Sequence, residues 1–216
     1  MINNKGEILV FGASGHAKVV IDILEREGKY GIVYLVDDDL ELKGRSFFSY
    51  AVIGGKSDLL AKVDRPIGSI VAIGNNHARS KVASWLIEND FELISSVHPS
   101  VPLGRDVRIG SGSVLMAHAV VNSSTIIGNN VIVNTRAGID HDCVIGDGVH
   151  IAPGATLCGA VRVGSNTFIC SGVTIIPNIT IGKNVTIAAG AIVIENVPDN
   201  VTVAGVPARE IMKVRD

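Results

Sequence analysis

Aromatic residues make up only 4% of this 216-residue chain, with one Trp, three Tyr and five Phe. An interior so poor in large rings must be filled by smaller side chains. Cysteine is scarce as well, and Cys143, Cys158 and Cys170 are too few and odd in number for a disulfide framework, which fits a reducing compartment. Neither sign of charge is in excess, since 19 basic residues face 21 acidic ones for a net −2. That balance offers no basic footprint for nucleic acid and no polybasic membrane anchor. Only four apolar residues, Ile8-Leu9-Val10-Phe11, precede Gly12, too short a run for a signal peptide or a spanning helix. No membrane insertion and a cytoplasmic location are therefore expected. Metal-binding signatures are lacking too: there is no Cys-x-x-Cys or His-Glu-x-x-His, and His118, His141 and His150 stand 23 and 9 residues apart, so no metal is expected. What is plentiful is glycine, 24 residues, alongside many Val and Ile, a mixture that points to a repetitive β architecture.

The repeat is explicit. Every sixth residue from Val97 to Val193 is Leu, Ile or Val, seventeen in succession, although only 34 of the 102 residues in 97–198 are of these types. Chance produces such a run on the order of once in ten million, even allowing for six phases. The position four residues further along is small or β-branched almost throughout, as in Ser113, Ala119, Thr125 and Val131. A period of six matches the hexapeptide form of the parallel β-helix. Ile-Gly or Val-Gly recurs at 109, 127, 145, 163 and 181, always eighteen apart, so three hexads should close one triangular coil. Nearly six coils are expected over 97–216, capped by a last strand and turn around 201–209 and a short helix over 208–214.

Residues 1–96 read differently. Short apolar runs at 8–11, 32–36 and 69–73 alternate with amphipathic stretches at 17–26, from about 57, and at 77–88. Alternating β and α predicts a small Rossmann-like α/β domain with a parallel sheet. Ligands of such sheets sit beyond the carboxyl ends of the strands, where this chain has Gly12-Ala13-Ser14-Gly15-His16, Asp37-Asp38 and Gly74-Asn75. Glycines let the backbone approach a phosphate, and a following helix presents free N–H groups. A tight turn and a solvated acidic loop would use the same residues; the dinucleotide fingerprint is broken by Ala13 and His16, and with only half of a dinucleotide fold present a nucleotide-sugar fits better than a whole dinucleotide.

Inward hexad positions are committed to packing, which leaves chemistry to the turns. His141 and Asp142 are the third and fourth members of their hexad and fall at a corner. A carboxylate beside an imidazole orients it and favours its protonated form, as a general base requires; a polar turn alone would also use these residue types. Eighteen residues on, Gly159 should stack beside His141, leaving room for a substrate and offering an N–H to an oxyanion. His150 lies elsewhere on the same coil and could reach His141 only from a neighbouring subunit. Cys143 is an inward residue and a poor nucleophile.

Together, Phe11-Gly12-Ala13-Ser14-Gly15-His16, Val36-Asp37-Asp38, Ala72-Ile73-Gly74-Asn75-Asn76, Asn134-Thr135, His141-Asp142-Cys143-Val144-Ile145-Gly146 and Ala204-Gly205-Val206-Pro207-Ala208 resemble bacterial nucleotide-sugar acetyltransferases of the left-handed β-helix family. The bacillosamine and perosamine N-acetyltransferases are the nearest type, and sialic acid O-acetyltransferases share the layout. The resemblance implies acetyl-CoA as co-substrate and a nucleotide-linked amino-deoxysugar as acceptor, acetylated at its 4-amino group for surface polysaccharide or glycan synthesis. It implies His141 as base and Asp142 as its acid partner, in a position that is Glu in some members. Ser14, Gly15, His16, Asp37, Asp38, Gly74 and Asn75 would hold the nucleotide-sugar, with Asn134 near the amino group. His150 and main-chain atoms of Ser171 and Ala189 would contact acetyl-CoA. A homotrimer with active sites between subunits is implied as well. Transfer to a sugar hydroxyl, and a non-catalytic nucleotide-sugar-binding scaffold, are the competing readings.

Overall fold

The structure is a computed structural model that describes residues 6–211. It divides into two compact units between Pro99 and Ser100. In the first, β1 (Gly6–Phe11) lies between β2 (Tyr30–Val36) and the later β5 (Gly68–Val71), all parallel. Between β2 and β5 come a small antiparallel hairpin, β3 (Ser46–Phe47) and β4 (Tyr50–Ala51), and the short helix α2 (Lys56–Leu60). Helices α1 (Gly15–Glu27) and α3 (Asn76–Glu88) follow β1 and β5. α1 turns Ala17, Val20, Ile21 and Leu24 inward at helical spacing and stops at Gly28, whose backbone is left-handed. Leu9, Phe11, Val36, Val71 and Leu86 join one buried cluster, so the apolar strand residues serve as core on this face.

The second unit is a left-handed β-helix. From Arg108–Ile109 to Ile192–Val193, fifteen two-residue strands recur every six residues, and each pairs in parallel with the strand eighteen residues away. Three flat faces result, and each face stacks strands from successive coils. The period is fixed by backbone conformation as much as by burial. Every sixth residue from Asp106 to Gly190 has a positive φ, between 54° and 74°, and eleven of these fifteen are Gly, Asn or Asp. Those are the residue types that tolerate the left-handed region. The second residue of each strand points inward: Ile127, Ile145, Leu157, Ile169 and Ile187 are all at most 2% exposed.

Two expectations are corrected. Leu103 fits the hexad period but is 45% exposed, because it makes only an isolated bridge to Val121 at the first coil. The closing helix is absent from 208–211. Thr202–Gly205 instead continues one face of the solenoid, and Ala208–Ile211 folds back against it as an antiparallel strand. An open strand edge supplied hydrogen-bond partners that outweighed the helix propensity of Ala208-Arg209-Glu210. The remainder of that segment lies outside the described residues. Among the described residues no helix is long and apolar enough to cross a membrane.

Candidate active site

At the corner after Gly138–Ile139, His141 and Asp142 stand in solvent with side chains 59% and 60% exposed. Asp142 has φ 61°, and the bend returns its carboxylate to the preceding side chain. His141 Nδ1 donates to Asp142 Oδ2 at 2.7 Å, which leaves the Nε2 lone pair available. The bond to Asp142 raises the imidazole pKa above its ordinary value, and the negative charge of Asp140 adds to the effect. Asp140 was not singled out by the sequence reading. Its Oδ1 accepts from the His141 N–H at 2.8 Å and from Asn122 Nδ2, one coil earlier, at 2.8 Å. Both bonds hold the Asp140 carboxyl below its usual range. An asparagine eighteen residues before an aspartate was the only available signal.

Gly159 stacks beside this corner as the eighteen-residue coil requires. The space above it is not open, however. A Cβ at Gly159 would lie 2.7 Å from both Cε1 and Nε2 of His141, so the ring itself occupies the room assigned to substrate. The carbonyl of Gly159 accepts from Asn178 N–H at 3.0 Å, while its own N–H donates to no group among the described residues. Cys143, immediately after Asp142, is fully buried, and burial pushes its thiol up to about 11. It is no nucleophile.

Asn134 and His150, to which the resemblance gave separate ligands, are brought together. Asn134 Nδ2 donates to His150 Nε2 at 3.1 Å, and Asn134 Oδ1 accepts from Thr135 N–H. His150 is 9% exposed and packs on Phe168, the next rung of the same face, with ring centroids 5.0 Å apart. Ser171 and Ala189 follow one coil apart on the corner after that face, both exposed. The Ser171 carbonyl is taken by Gly190 N–H, so a main-chain contact with a ligand falls to the amides.

In the first unit, several of the predicted strand-end residues are gathered and also hold their own turns. His16 lies against Gly74, so the first and third motifs meet. Gly12 has φ 119°, and a Cβ there would stand 2.8 Å from Ala72 O; the glycine is required by the close passage of the chain beyond β5. Gly15, in contrast, faces open space. Ser14 precedes α1 and its hydroxyl makes no cap bond. Asp37 is a clamp, with Oδ2 accepting from Ala13 N–H at 2.7 Å and Oδ1 from Asp39 N–H at 2.9 Å. Asp38 accepts from Lys56 N–H and pairs with Lys56 Nζ at 3.2 Å. Asn75 caps α3 by accepting from Ala78 N–H.

Two cations here were missed. Lys56 Nζ sits over the rings of Phe11 and Trp85, 5.8 and 5.5 Å from their centroids. Arg79 is 1% exposed, and its guanidinium donates to Ile73 O, Gly74 O and Asn76 Oδ1. On a helical pattern an arginine is ordinarily read as a solvent residue, so its burial had no sequence signal. Burial, with Arg79 nearby, lowers the His16 pKa to about 4, and the imidazole is neutral at pH 7. Among the described residues no group of three His, Cys, Asp or Glu is set to hold a metal.

The arrangement thus defines a class: a hexapeptide-repeat β-helix with a His–Asp pair at one corner, joined to a small parallel α/β unit. Comparison with known proteins agrees. Residues 7–86 match the PglD N-terminal domain family, and 124–159 and 160–195 match the bacterial transferase hexapeptide repeats. Perosamine N-acetyltransferase from Caulobacter crescentus, solved as a mutant with CoA and GDP-perosamine, is 34% identical with a TM-score of 0.90, over 96% of this chain and 98% of that one. The acetyltransferase domain of PglB from Neisseria gonorrhoeae FA1090, solved with acetyl coenzyme A, is 36% identical with a TM-score of 0.89, over 96% and 100%. UDP-N-acetylbacillosamine N-acetyltransferase from Bacillus subtilis (strain 168) is 32% identical over 115 residues; the match spans 51% of this chain and 51% of that protein's length. The chain belongs to the family of left-handed β-helix nucleotide-sugar acetyltransferases of the perosamine and bacillosamine type.

Proposed function

We propose that this protein transfers acetyl from acetyl-CoA to the 4-amino group of a nucleotide-linked amino-deoxysugar. The observation that carries the reading is the His141–Asp142 pair, whose free Nε2 edge lies over a glycine with an available N–H. The amine nitrogen attacks the thioester carbon and His141 Nε2 takes its proton. Gly159 N–H donates to the oxyanion that forms. As the C–S bond breaks, the imidazolium returns the proton to the departing sulfur, giving CoA thiol and the amide. Asp142 holds the ring in its Nδ1–H tautomer and stabilises the imidazolium between these steps. No acyl-enzyme is formed, in keeping with the buried, protonated Cys143.

The nucleotide belongs to the first unit. Asp37 and Asn75 also fix their turns; with Ser14, Gly15, His16, Asp38 and Gly74 they frame the N-terminus of α1, which receives the phosphates, with Lys56 alongside. His150, with the amides of Ser171 and Ala189, serves acetyl-CoA. A homotrimer supplies the walls that a single prism lacks, and the outward apolar residues Val120 and Ile126, 39% and 42% exposed, support side-by-side packing. Release of CoA thiol with a panel of UDP- and GDP-linked amino-sugars tests the activity. Turnover of 4-amino acceptors and not of their 4-hydroxy counterparts is expected, whereas turnover of hydroxy-sugars alone would favour O-acetylation. Light scattering of a fully active monomer near 22.6 kDa would overturn the trimer.

A further inference from the structure

Four inward side chains of the solenoid make a bond of identical reach. Ser113 Oγ donates to Gly128 O at 2.9 Å, Thr125 Oγ1 to Asp140 O at 2.9 Å, Cys143 Sγ to Cys158 O at 3.3 Å, and Thr167 Oγ1 to Gly182 O at 2.7 Å. All four donors are fully buried, and each spans fifteen residues to a corner carbonyl of the next coil. A buried hydroxyl needs a partner, so each bond has a structural use. Two of the four carbonyls have a further consequence, because Asp140 and Cys158 immediately precede His141 and Gly159.

A trans peptide is planar, and its C=O and N–H point in opposite directions. Drawing Asp140 O inward turns the His141 N–H outward, where the Asp140 carboxylate receives it at 2.8 Å. Drawing Cys158 O inward turns the Gly159 N–H outward, at the glycine over which the His141 ring lies. The corners held by Ser113 and Thr167 carry glycines with no imidazole beside them.

We propose that Thr125 and Cys143 are positioning residues for acetyl transfer, setting from inside the solenoid the two peptide planes that present the His141 base and the Gly159 N–H. Neither touches substrate. Burial keeps the Cys143 thiol protonated, with its pKa at about 11, so it remains a donor across the neutral range. The proposal rests on reading this corner as the acetyl-transfer site.

The test compares Thr125→Val and Cys143→Ala with Thr167→Val, which deletes the same bond at a corner without chemistry, together with a bond accepted from Val185 N–H at 3.1 Å. Melting temperature should fall in both Thr125→Val and Thr167→Val, and at least as far in Thr167→Val, which loses two bonds. Turnover should fall about tenfold in Thr125→Val and in Cys143→Ala at little-changed KM, and by less than about twofold in Thr167→Val. Thr125→Ser and Cys143→Ser keep a donor and should recover turnover to within about twofold of wild type. A second readout is independent of turnover. In NMR titrations Thr125→Val should move the His141 imidazole toward the ordinary histidine value, and Cys143→Ala should shift the Gly159 amide resonance, while Thr167→Val moves neither. If both variants match Thr167→Val in turnover and in these resonances, the proposal is overturned. Lack of acetyl transfer by the wild-type protein would overturn the functional reading instead, with the resonances still deciding this one.

Discussion

His141 donates through Nδ1 to Asp142 Oδ2 at 2.7 Å, from a neighbour whose backbone is left-handed at φ 61°. Adjacent side chains on an extended segment point to opposite faces. Here the left-handed turn brings them to the same side, so the fold's own corner conformation builds the pair. Aspartate and asparagine both tolerate that conformation, so Asp142→Asn removes the charge and preserves the bend.

Replacing His141 by Ala or Asn should cost about 10²–10⁴-fold in turnover without loss of fold, since a positioned general base contributes that much. The imidazole is exposed, bonded to Asp142 and laid over Gly159, so folding does not depend on it. Circular dichroism together with thiol-release kinetics checks both halves. Near-normal turnover in a folded His141→Ala protein would remove the mechanism.

Asp142→Asn should lose roughly 10–100-fold, because it tunes the base rather than being one. The sign of its pH effect follows from the raised His141 pKa, of which the bond to Asp142 is the first cause. Activity needs the unprotonated ring, so the acidic limb of kcat/KM lies above the ordinary histidine value. Without the carboxylate that limb should move to lower pH while the plateau falls. A limb moving to higher pH would contradict the assignment.

At Gly159 the expected effect is steric. A methyl there would meet Cε1 and Nε2 of His141 at 2.7 Å, and the ring, being exposed, is the part able to move. Gly159→Ala should therefore keep its melting temperature within a few degrees while turnover drops at least tenfold, the scale expected from a misplaced base. A crystal structure of the variant should show the imidazole rotated away from Asp142.

How far the sequence carried the argument depends on what decided each feature. The coil was legible because its interior accepts only small or branched residues, and the superperiod of Ile-Gly and Val-Gly revealed three faces. The His141–Asp142 corner was legible because adjacent residues and hexad phase alone place it. Asp140 with Asn122 was not, because a bond between coils depends on side-chain directions that no spacing rule specifies. Asp37 was legible as a strand-end carboxylate, but not as the acceptor for the N–H groups of Ala13 and Asp39. Arg79 and Lys56 were invisible for a related reason, since only tertiary packing buries the Arg79 guanidinium or sets the Lys56 ammonium over Phe11 and Trp85.

The two glycines of the first turn should separate folding from binding. Gly12→Ala would place a methyl 2.8 Å from Ala72 O at φ 119°, so it should destabilise the protein by about 1–3 kcal/mol, the scale of a strained backbone position. Gly15 faces open space, so Gly15→Val should fold and should abolish sugar-nucleotide binding by blocking the phosphate approach. Calorimetry with acetyl-CoA should show binding to Gly15→Val unchanged. Equal loss of both ligands would refute the assignment of nucleotide and acetyl-CoA to different units.

His16 gives the last prediction, a dependence of stability on pH. Its folded pKa is depressed to about 4 from 6.5 by burial and by Arg79. Between those values the unfolded chain binds a proton that the folded protein does not, so stability rises with pH across this window. The contribution is fully present above about pH 6.5 and is lost progressively as pH falls toward 4, up to about 3 kcal/mol. His16→Gln removes the titrating group while keeping a polar side chain. Denaturant melts of wild type should therefore weaken from pH 7 to pH 4.5 by more than those of the variant. Parallel curves would mean that folding leaves the His16 pKa near its ordinary value, and would overturn the depressed value.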